Sequence, residues 1–233
     1  MKKQNLTPWS SISDLMSALM MVFLFISVSY AYQVQQQSAE LESQRKKISK
    51  ITTEYVDQRE EIYKSLMTAF GSSLEEWKAV IDKDTLTLRF NDPALLFQPG
   101  SSALTPHFNA ILKEFWGRYV EILSDHSSSI REVKIEGHTS SEWADATKDQ
   151  SYFNNMELSQ ERTRSTLLRC YQLTPEKQRE WVRSFVTANG MSFSRPVLDE
   201  ENKEDVAKSR RVEFTVVVDS RSRLAKIVGE IND

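Results

Sequence analysis

The feature that most constrains this chain is a stretch near its beginning, residues 15–31, that contains no charged side chain. As an α-helix, about 17 residues rise roughly 26 Å, which is close to the ~30 Å of hydrocarbon in a bilayer. Ile12 and Tyr32 extend the apolar segment at its two ends. The sequence therefore predicts a single transmembrane helix at residues 12–32.

The basic residues on the two sides of this segment predict its orientation. Lys2 and Lys3 precede it, whereas the first basic residue after it is Arg45. Basic residues accumulate on the cytoplasmic side of membrane helices, so we expect residues 1–11 in the cytoplasm and the bulk of the chain outside. The alternative is a cleaved secretory signal with its cleavage site near 29–31. It is disfavoured because signal cores usually run about 7–15 apolar residues and carry no acid at their entrance.

The rest of the composition argues against several classes of function. The net charge of -3 gives no reason to expect nucleic acid as a partner, because phosphate binding needs a basic patch or stripe. The three histidines are scattered and Cys170 is the single cysteine, so the sequence has no metal-ligand spacing. Nucleophile motifs and phosphate loops are also missing from the sequence. We therefore expect neither an enzyme nor a bound cofactor.

Residues 33–70 contain neither proline nor glycine and are predicted to form one long helix within a linker at 33–79. Apolar side chains recur there at every seventh residue, which is the spacing of a coiled coil, whereas the intervening core positions are mostly polar. We expect a weak parallel coiled coil between two copies of the chain. The alternative is a single helix that lies on the following domain. The heptad positions are Val34, Leu41, Ile48, Tyr55 and Ile62.

Residues 80–220 alternate between strand and helix patterns and are predicted to form a compact α+β domain, followed by a tail at 221–233. Thr105 and Pro106 predict the start of the first helix, because threonine is a favourable N-cap and proline suits the first turn. The order β-α-β-α-β-β implies a sheet with helices over one face. The predicted segments are strands at 85–90, 132–137, 185–187 and 212–218, helices at 105–123 and 159–171, and a long polar loop at 139–154.

Asp14 is the one acid within the predicted transmembrane segment. A charged acid costs about 2.5–3.5 kcal/mol near the middle of a bilayer on insertion scales, and less near its edge. One interpretation is that Asp14 caps the helix, since aspartate is a good N-cap. The other is that it carries an ion, because Ser10, Ser11 and Ser13 are available as caps and a carboxylate in this position can take up and release a proton.

The segment Pro8-Trp9-Ser10-Ser11-Ile12-Ser13-Asp14-Leu15-Met16, with the apolar run that follows, resembles the N-terminus of MotB-type stator subunits. The resemblance implies that Asp14 is the ion-binding residue of a proton- or sodium-driven channel. It also implies a ring of multi-span MotA-like partner subunits around two copies of this chain. In that arrangement the chain spans the bacterial inner membrane once and its C-terminal domain lies in the periplasm.

Four motifs in the second half of the chain resemble those of OmpA-like domains, over roughly residues 85–218. They are Phe97-x-x-Gly100-x-x-x-Leu104, Gly137-His138-Thr139, Asn155-x-x-Leu158-Ser159-x-x-Arg162 and Arg210-Arg211-Val212-Glu213. The resemblance implies an OmpA-like fold that binds peptidoglycan through the diaminopimelate residue of the stem peptide. The implied binding residues are Thr139, Ser140, Asn155, Leu158, Arg162 and Arg211.

The OmpA resemblance gives one of these positions a defined role and leaves another open. Arg162 matches the arginine that pairs with the diaminopimelate carboxylate, and a guanidinium suits a carboxylate because its donors form a fork. The family's aspartate, which takes the ammonium, is replaced here by Ser140. For Arg210 and Arg211 two interpretations are open: they contact the ligand, or they form salt bridges on the final strand. The acids that could replace the aspartate lie in the following loop: Glu142, Asp145 and Asp149.

A finer resemblance rests on the run Ser13-Asp14-Leu15-Met16-Ser17-Ala18-Leu19-Met20-Met21 and on Gly-His-Thr-Ser-Ser-Glu-Trp at residues 137–143. Both are more similar to the ZorB family of the Zorya anti-phage defence system than to flagellar MotB. The resemblance implies a ring of ZorA-like partners and a role in defence against phage. The alternatives are a flagellar-type stator subunit and a passive OmpA-like wall tether without ion transport.

Overall fold

The computed structural model describes residues 8–219. Contacts divide the chain into two units, one that ends at Thr53 and one that begins at Glu54. The predicted tail at 221–233 and the first seven residues lie outside the described part. Side chains are described from residue 12 onward, apart from residues 51, 54, 93 and 94.

Helix α1 (Pro8–Phe70) contains both the apolar segment and most of the predicted linker. Proline suits the first turn because its missing N–H would have no partner there, and neither glycine nor a further proline follows before Gly71. Within residues 8–219, α1 is the one helix long and apolar enough to cross a membrane, and its apolar window has a mean hydropathy of 2.0. A single N-terminal helix with the length and apolar character of a membrane span is therefore confirmed within residues 8–219, and the helix continues past residue 32 without a break.

The second unit contains a five-stranded sheet and further helices, and the α+β fold class is confirmed. Its strands are β1 (Ala79–Asp82), β2 (Thr87–Phe90), β3 (Ile130–His138), β4 (Val186–Gly190) and β5 (Arg211–Val218). Its helices after α1 are α2 (Pro93–Leu96), α3 (Pro106–Asp125), α4 (Lys148–Leu173), α5 (Arg179–Phe185) and α6 (Val206–Ser209). The strand order is β1-β2-β5-β3-β4, with β3 and β4 parallel and the other neighbours antiparallel.

Helix α4 begins eleven residues earlier than the predicted start at 159, so the loop after β3 is shorter than expected. Thr147 forms a capping box with Gln150: its side chain accepts from the Gln150 N–H, and the Gln150 side chain accepts from the Thr147 N–H. The hydrophobic period did not reveal these first turns because their buried side chains are small and polar. Those side chains are Ser151, Asn155 and Ser159.

Strand β1 is a second difference, since the sequence interpretation predicted no strand before residue 85. It pairs with β2 through a tight turn that Asp82 stabilises. The Asp82 Oδ1 accepts hydrogen bonds from the backbone N–H groups of Asp84 at 2.9 Å and Thr85 at 2.8 Å, which is a common use of aspartate in turns. Four residues are too few to show a reliable alternating pattern, so the sequence alone did not predict this strand.

The end of α1 belongs to the core of the second unit. Ile62, Leu66 and Phe70 are buried, and the Phe70 ring centroid lies 5.2 Å from that of Phe115 in α3. From Tyr55 onward, therefore, the heptad face packs on the domain, as the alternative interpretation of the linker proposed. The folded unit begins at Glu54 rather than at residue 80. The earlier heptad positions Val34, Leu41 and Ile48 are exposed.

Gly190→Ala is expected to lower the free energy of unfolding by about 1–3 kcal/mol. A Cβ at Gly190 would lie 2.4 Å from the backbone nitrogen of Gln160 in α4, and helix backbone does not move aside as a flexible side chain does. Gly117→Ala is the matched control, because nothing lies within 4 Å of its added Cβ and alanine favours a helix by ~0.5–1 kcal/mol. Chemical denaturation in detergent compares the two variants. Wild-type stability of the Gly190 variant would contradict this close approach.

Candidate functional site

A cavity of about 670 Å³ lies where the end of β3, the middle of α4 and the segment before α3 meet. Its volume falls within the ~300–1,000 Å³ typical of ligand pockets. Five of the six residues implied by the OmpA resemblance line it, namely Thr139, Ser140, Asn155, Leu158 and Arg162. The remaining lining residues are Phe97, Gln98, Pro99, Gly100, Glu142, Trp143, Ala144 and Arg210.

Arg162 is half-buried in the middle of α4 and is held in a fixed orientation. Its Nε donates to the Ser101 carbonyl at 2.9 Å and its Nη2 to the Gln98 carbonyl at 3.3 Å. The guanidinium also stacks over the Phe97 ring, 4.9 Å from the centroid. Burial lowers the pKa of Arg162 to about 10, and the positive charge of Arg210 contributes. At neutral pH the group remains protonated and gives the cavity a fixed positive charge.

Arg210 lines the cavity, whereas Arg211 does not. The Arg210 Nε donates to Ser140 Oγ at 2.8 Å, and its Nη2 donates to Glu142 Oε2 at 2.7 Å. The Arg211 side chain is buried, and its Nε donates to Glu213 Oε1 at 2.6 Å. Arg210 has an extended backbone and directly precedes β5, and successive side chains of extended backbone point to opposite sides, which separates the two arginines. Arg210 is therefore better placed than Arg211 for contact with a ligand.

Glu142 is the acid of the loop after β3 that lines the cavity. Asp149 lies in the first turn of α4, where an acid interacts favourably with the helix dipole. Asp145 occupies a left-handed backbone conformation with φ of 55°. Neither Asp145 nor Asp149 is among the residues that line the cavity. Of the three acids considered from the sequence, Glu142 is therefore the one placed to face a ligand.

A buried charged network near the cavity was missed by the sequence interpretation. Glu213 Oε1 accepts from Arg89 Nε and Arg211 Nε, both at 2.6 Å, and Oε2 lies 3.5 Å from His138 Nε2. Glu136, His138 and Glu213 carry ligand atoms within 4.8 Å of one another, a spacing that could hold a metal ion. Two guanidinium groups already neutralise Glu213, however, so the charges favour a structural role that joins β2, β5 and β3. The signal in the sequence was the alternation of charged residues along β3 and β5.

Glu213→Gln is expected to lower the free energy of unfolding at neutral pH by about 3 kcal/mol, since it removes one partner of a buried ion pair. Burial raises the pKa of Glu213, but contacts with His138 and Arg211 outweigh burial and hold the pKa below its ordinary value of 4.5. The ionised carboxylate therefore stabilises the fold above about pH 4.5, and this contribution is lost as the pH falls further.

Thermal unfolding at pH 7, 4 and 3 measures this linkage, with Glu132→Gln as the control. The Glu132 side chain is more exposed, at 28%, and pairs with surface cations, so its removal should cost well under about 1 kcal/mol. Wild type should lose more stability on acidification than the Glu213 variant does. Parallel losses in both proteins would contradict the stabilising role of the network.

Asp14 lies in the second turn of α1, because the helix begins at Pro8. A residue in that position is helical and is not the N-cap. The Asp14 side chain is exposed on the isolated chain. One turn further, the Ser17 hydroxyl donates to the Ser13 carbonyl at 2.9 Å. The placement of Asp14 within the helix argues against the capping interpretation.

Comparisons with known proteins agree with the resemblances to ZorB and to MotB. No protein-family model matches the chain. Over 231 residues it is 42% identical to the Zorya protein ZorB of Escherichia coli (strain Crooks), which covers 98% of this chain and 95% of that protein.

The fold has solved relatives. A putative MotB-like protein from Desulfovibrio vulgaris matches with a TM-score of 0.52 and 24% identity, over 72% of this chain and 98% of that one. The cell wall anchor of the T6SS from Pseudomonas aeruginosa matches with a TM-score of 0.47 and 22% identity, over 66% of this chain and 97% of that one. The first of these supports the MotB-like fold of the domain. With 42% identity along nearly the full length of both sequences, the chain belongs to the family of the Zorya protein ZorB.

Proposed function

We propose that this chain is the peptidoglycan-anchored subunit of an ion-driven inner-membrane motor that serves in defence against phage. The observation that carries the proposal is the combination, in one chain, of an acid within the long apolar helix α1 and a cavity with a fixed arginine. Asp14 is the acid and Arg162 is the arginine. Membership of the ZorB family supports the role in defence.

The proposed ligand of the cavity is the diaminopimelate of a peptidoglycan stem peptide. Arg162 pairs with its carboxylate, because a guanidinium forms charge-assisted hydrogen bonds to carboxylates. Glu142 takes the ammonium in place of the aspartate that Ser140 replaces. Thr139 offers a buried hydroxyl that has no hydrogen-bond partner within the described residues. Asn155 adds an amide to the lining of the same cavity.

The proposed arrangement across the membrane follows the distribution of basic residues. Residues 1–11 lie in the cytoplasm, 12–32 cross the inner membrane, and 33–53 continue as a periplasmic helix. The wall-binding domain then begins at Glu54 and includes the end of α1 and the whole sheet. The exposed positions Val34, Leu41 and Ile48 are the part of the heptad stripe that remains open to a second copy of the chain.

In the proposed motor, Asp14 binds and releases a proton or sodium ion within a ring of multi-span ZorA-like subunits. A membrane potential of about 100 mV supplies ~2.3 kcal/mol for each charge moved, so repeated transfers can drive steps. Wall anchoring holds this chain still while the ring turns against it. The experiment that tests the proposal is the replacement of Asp14 by Asn, which should abolish activity while the complex still assembles.

A further inference from the structure

Trp143 lines the cavity yet has a side chain that remains 40% exposed. In the proposed function Arg162 takes the carboxylate of the diamino acid and Glu142 takes its ammonium, which leaves the indole ring of Trp143 for another part of the ligand. Trp143 follows Glu142 directly in the loop between β3 and α4. A large aromatic ring that remains partly open to solvent in the lining of this cavity is therefore available to a further group of the ligand.

The backbone before Trp143 is fixed from several sides. The Ser141 N–H donates to both carboxylate oxygens of Glu204, at 3.1 and 3.3 Å, and the Ser141 hydroxyl also bonds to that carboxylate. On the other side, the Ser151 hydroxyl of α4 donates to the Ser141 carbonyl at 2.7 Å. The next side chain, Glu142, is held by Arg210. The ring of Trp143 is thus presented by an anchored segment, so little order has to be gained when a ligand binds.

The cavity is also large enough for more than one amino-acid head group. A sphere of 670 Å³ is about 11 Å across, and three residues of extended peptide reach at most about 10 Å. In peptidoglycan the diamino acid is the third residue of the stem, and the first is linked to the glycan. A stem held at Arg162 can therefore bring its sugar to the rim of the same cavity.

We propose that Trp143 forms a saccharide subsite, in which the indole packs against the apolar face of an N-acetylhexosamine ring of the glycan strand. The electron-rich face of an aromatic ring attracts the weakly positive C–H groups of that sugar face. This inference rests on the proposed binding of peptidoglycan and assigns a second part of the same ligand. The cavity then recognises the junction between stem and glycan, rather than free peptide alone.

The test compares two ligands by calorimetry with the full chain in detergent micelles: a stem tripeptide that ends in diaminopimelate, and the same tripeptide linked to its disaccharide. Wild type should bind the disaccharide form about three- to tenfold more tightly. Trp143→Ala should reduce this ratio to about one, whatever its effect on the tripeptide itself, and Trp143→Phe should retain part of the ratio. Phe153→Ala is the matched control, because Phe153 is exposed and lies outside the cavity lining.

The outcomes separate this inference from the proposed function. If wild type binds the tripeptide but gains nothing from the disaccharide, the saccharide subsite is wrong and peptide binding stands. An unchanged ratio in Trp143→Ala would also overturn the subsite. If wild type binds neither ligand, the proposed binding of peptidoglycan is wrong, and the saccharide subsite is wrong with it.

Discussion

Cells that carry Asp14→Asn should show no more protection against phage than cells that lack the chain. Asparagine has nearly the shape of aspartate, but its amide neither takes up a proton nor carries a negative charge for a sodium ion. The helix should insert at least as well, since a charged acid costs about 2.5–3.5 kcal/mol at mid-bilayer and an amide costs less. The efficiency of phage plating measures the loss. Full protection by the Asn variant would exclude the motor and favour a passive wall tether.

Two further variants show whether the effect belongs to the carboxylate. Asp14→Glu keeps an ionisable group and should retain part of the activity. Ser17→Ala should retain nearly all of it, because the Ser17 hydroxyl donates to the Ser13 carbonyl of its own helix. Co-purification of the multi-span partner with each variant measures assembly. Loss of the partner with the Asn variant would mean that Asp14 acts in assembly instead of ion transport.

The parts of the fold that were predicted correctly are those with a strong apolar period and a local start signal. Helix α3 buries one continuous apolar face, and Thr105 caps it as expected. Helix α4 has an equally good capping box at Thr147, but its buried face consists of small polar residues. The hydrophobic pattern therefore placed its start too late. A search for capping motifs independent of hydrophobicity would have found it.

The sequence motifs correctly predicted those site residues that line the same cavity. Thr139, Asn155 and Arg162 come from a strand end and a helix, and the motif spacing carried that information. The choice between Arg210 and Arg211 depended on where β5 begins, and a shift of one residue exchanges the two faces. Two of the partners of Glu213, Arg89 and His138, come from strands that are distant in sequence. No local pattern contains that pairing.

Arg162→Ala is expected to weaken binding of the full chain to purified peptidoglycan by about 10- to 100-fold, which matches the ~1.5–3 kcal/mol of a hydrogen bond to a charged group. Co-sedimentation with peptidoglycan sacculi measures the change. Arg164→Ala is the matched control, since Arg164 lies on the exposed side of the same helix and has the same charge. Equal retention of both variants by sacculi would contradict the ligand role of Arg162.

Arg162 also supports the segment before α3 through its bonds to the Ser101 and Gln98 carbonyls, so loss of binding could follow from loss of structure. Arg162→Lys separates the two effects. Lysine keeps the charge and can still donate to a carbonyl, but it lacks the planar fork that engages a carboxylate with two hydrogen bonds. A direct role predicts that the Lys variant unfolds at nearly the wild-type temperature and still binds sacculi several-fold more weakly. If the Lys variant binds as well as wild type, Arg162 contributes charge and support alone, and Arg210 becomes the arginine to test for the carboxylate.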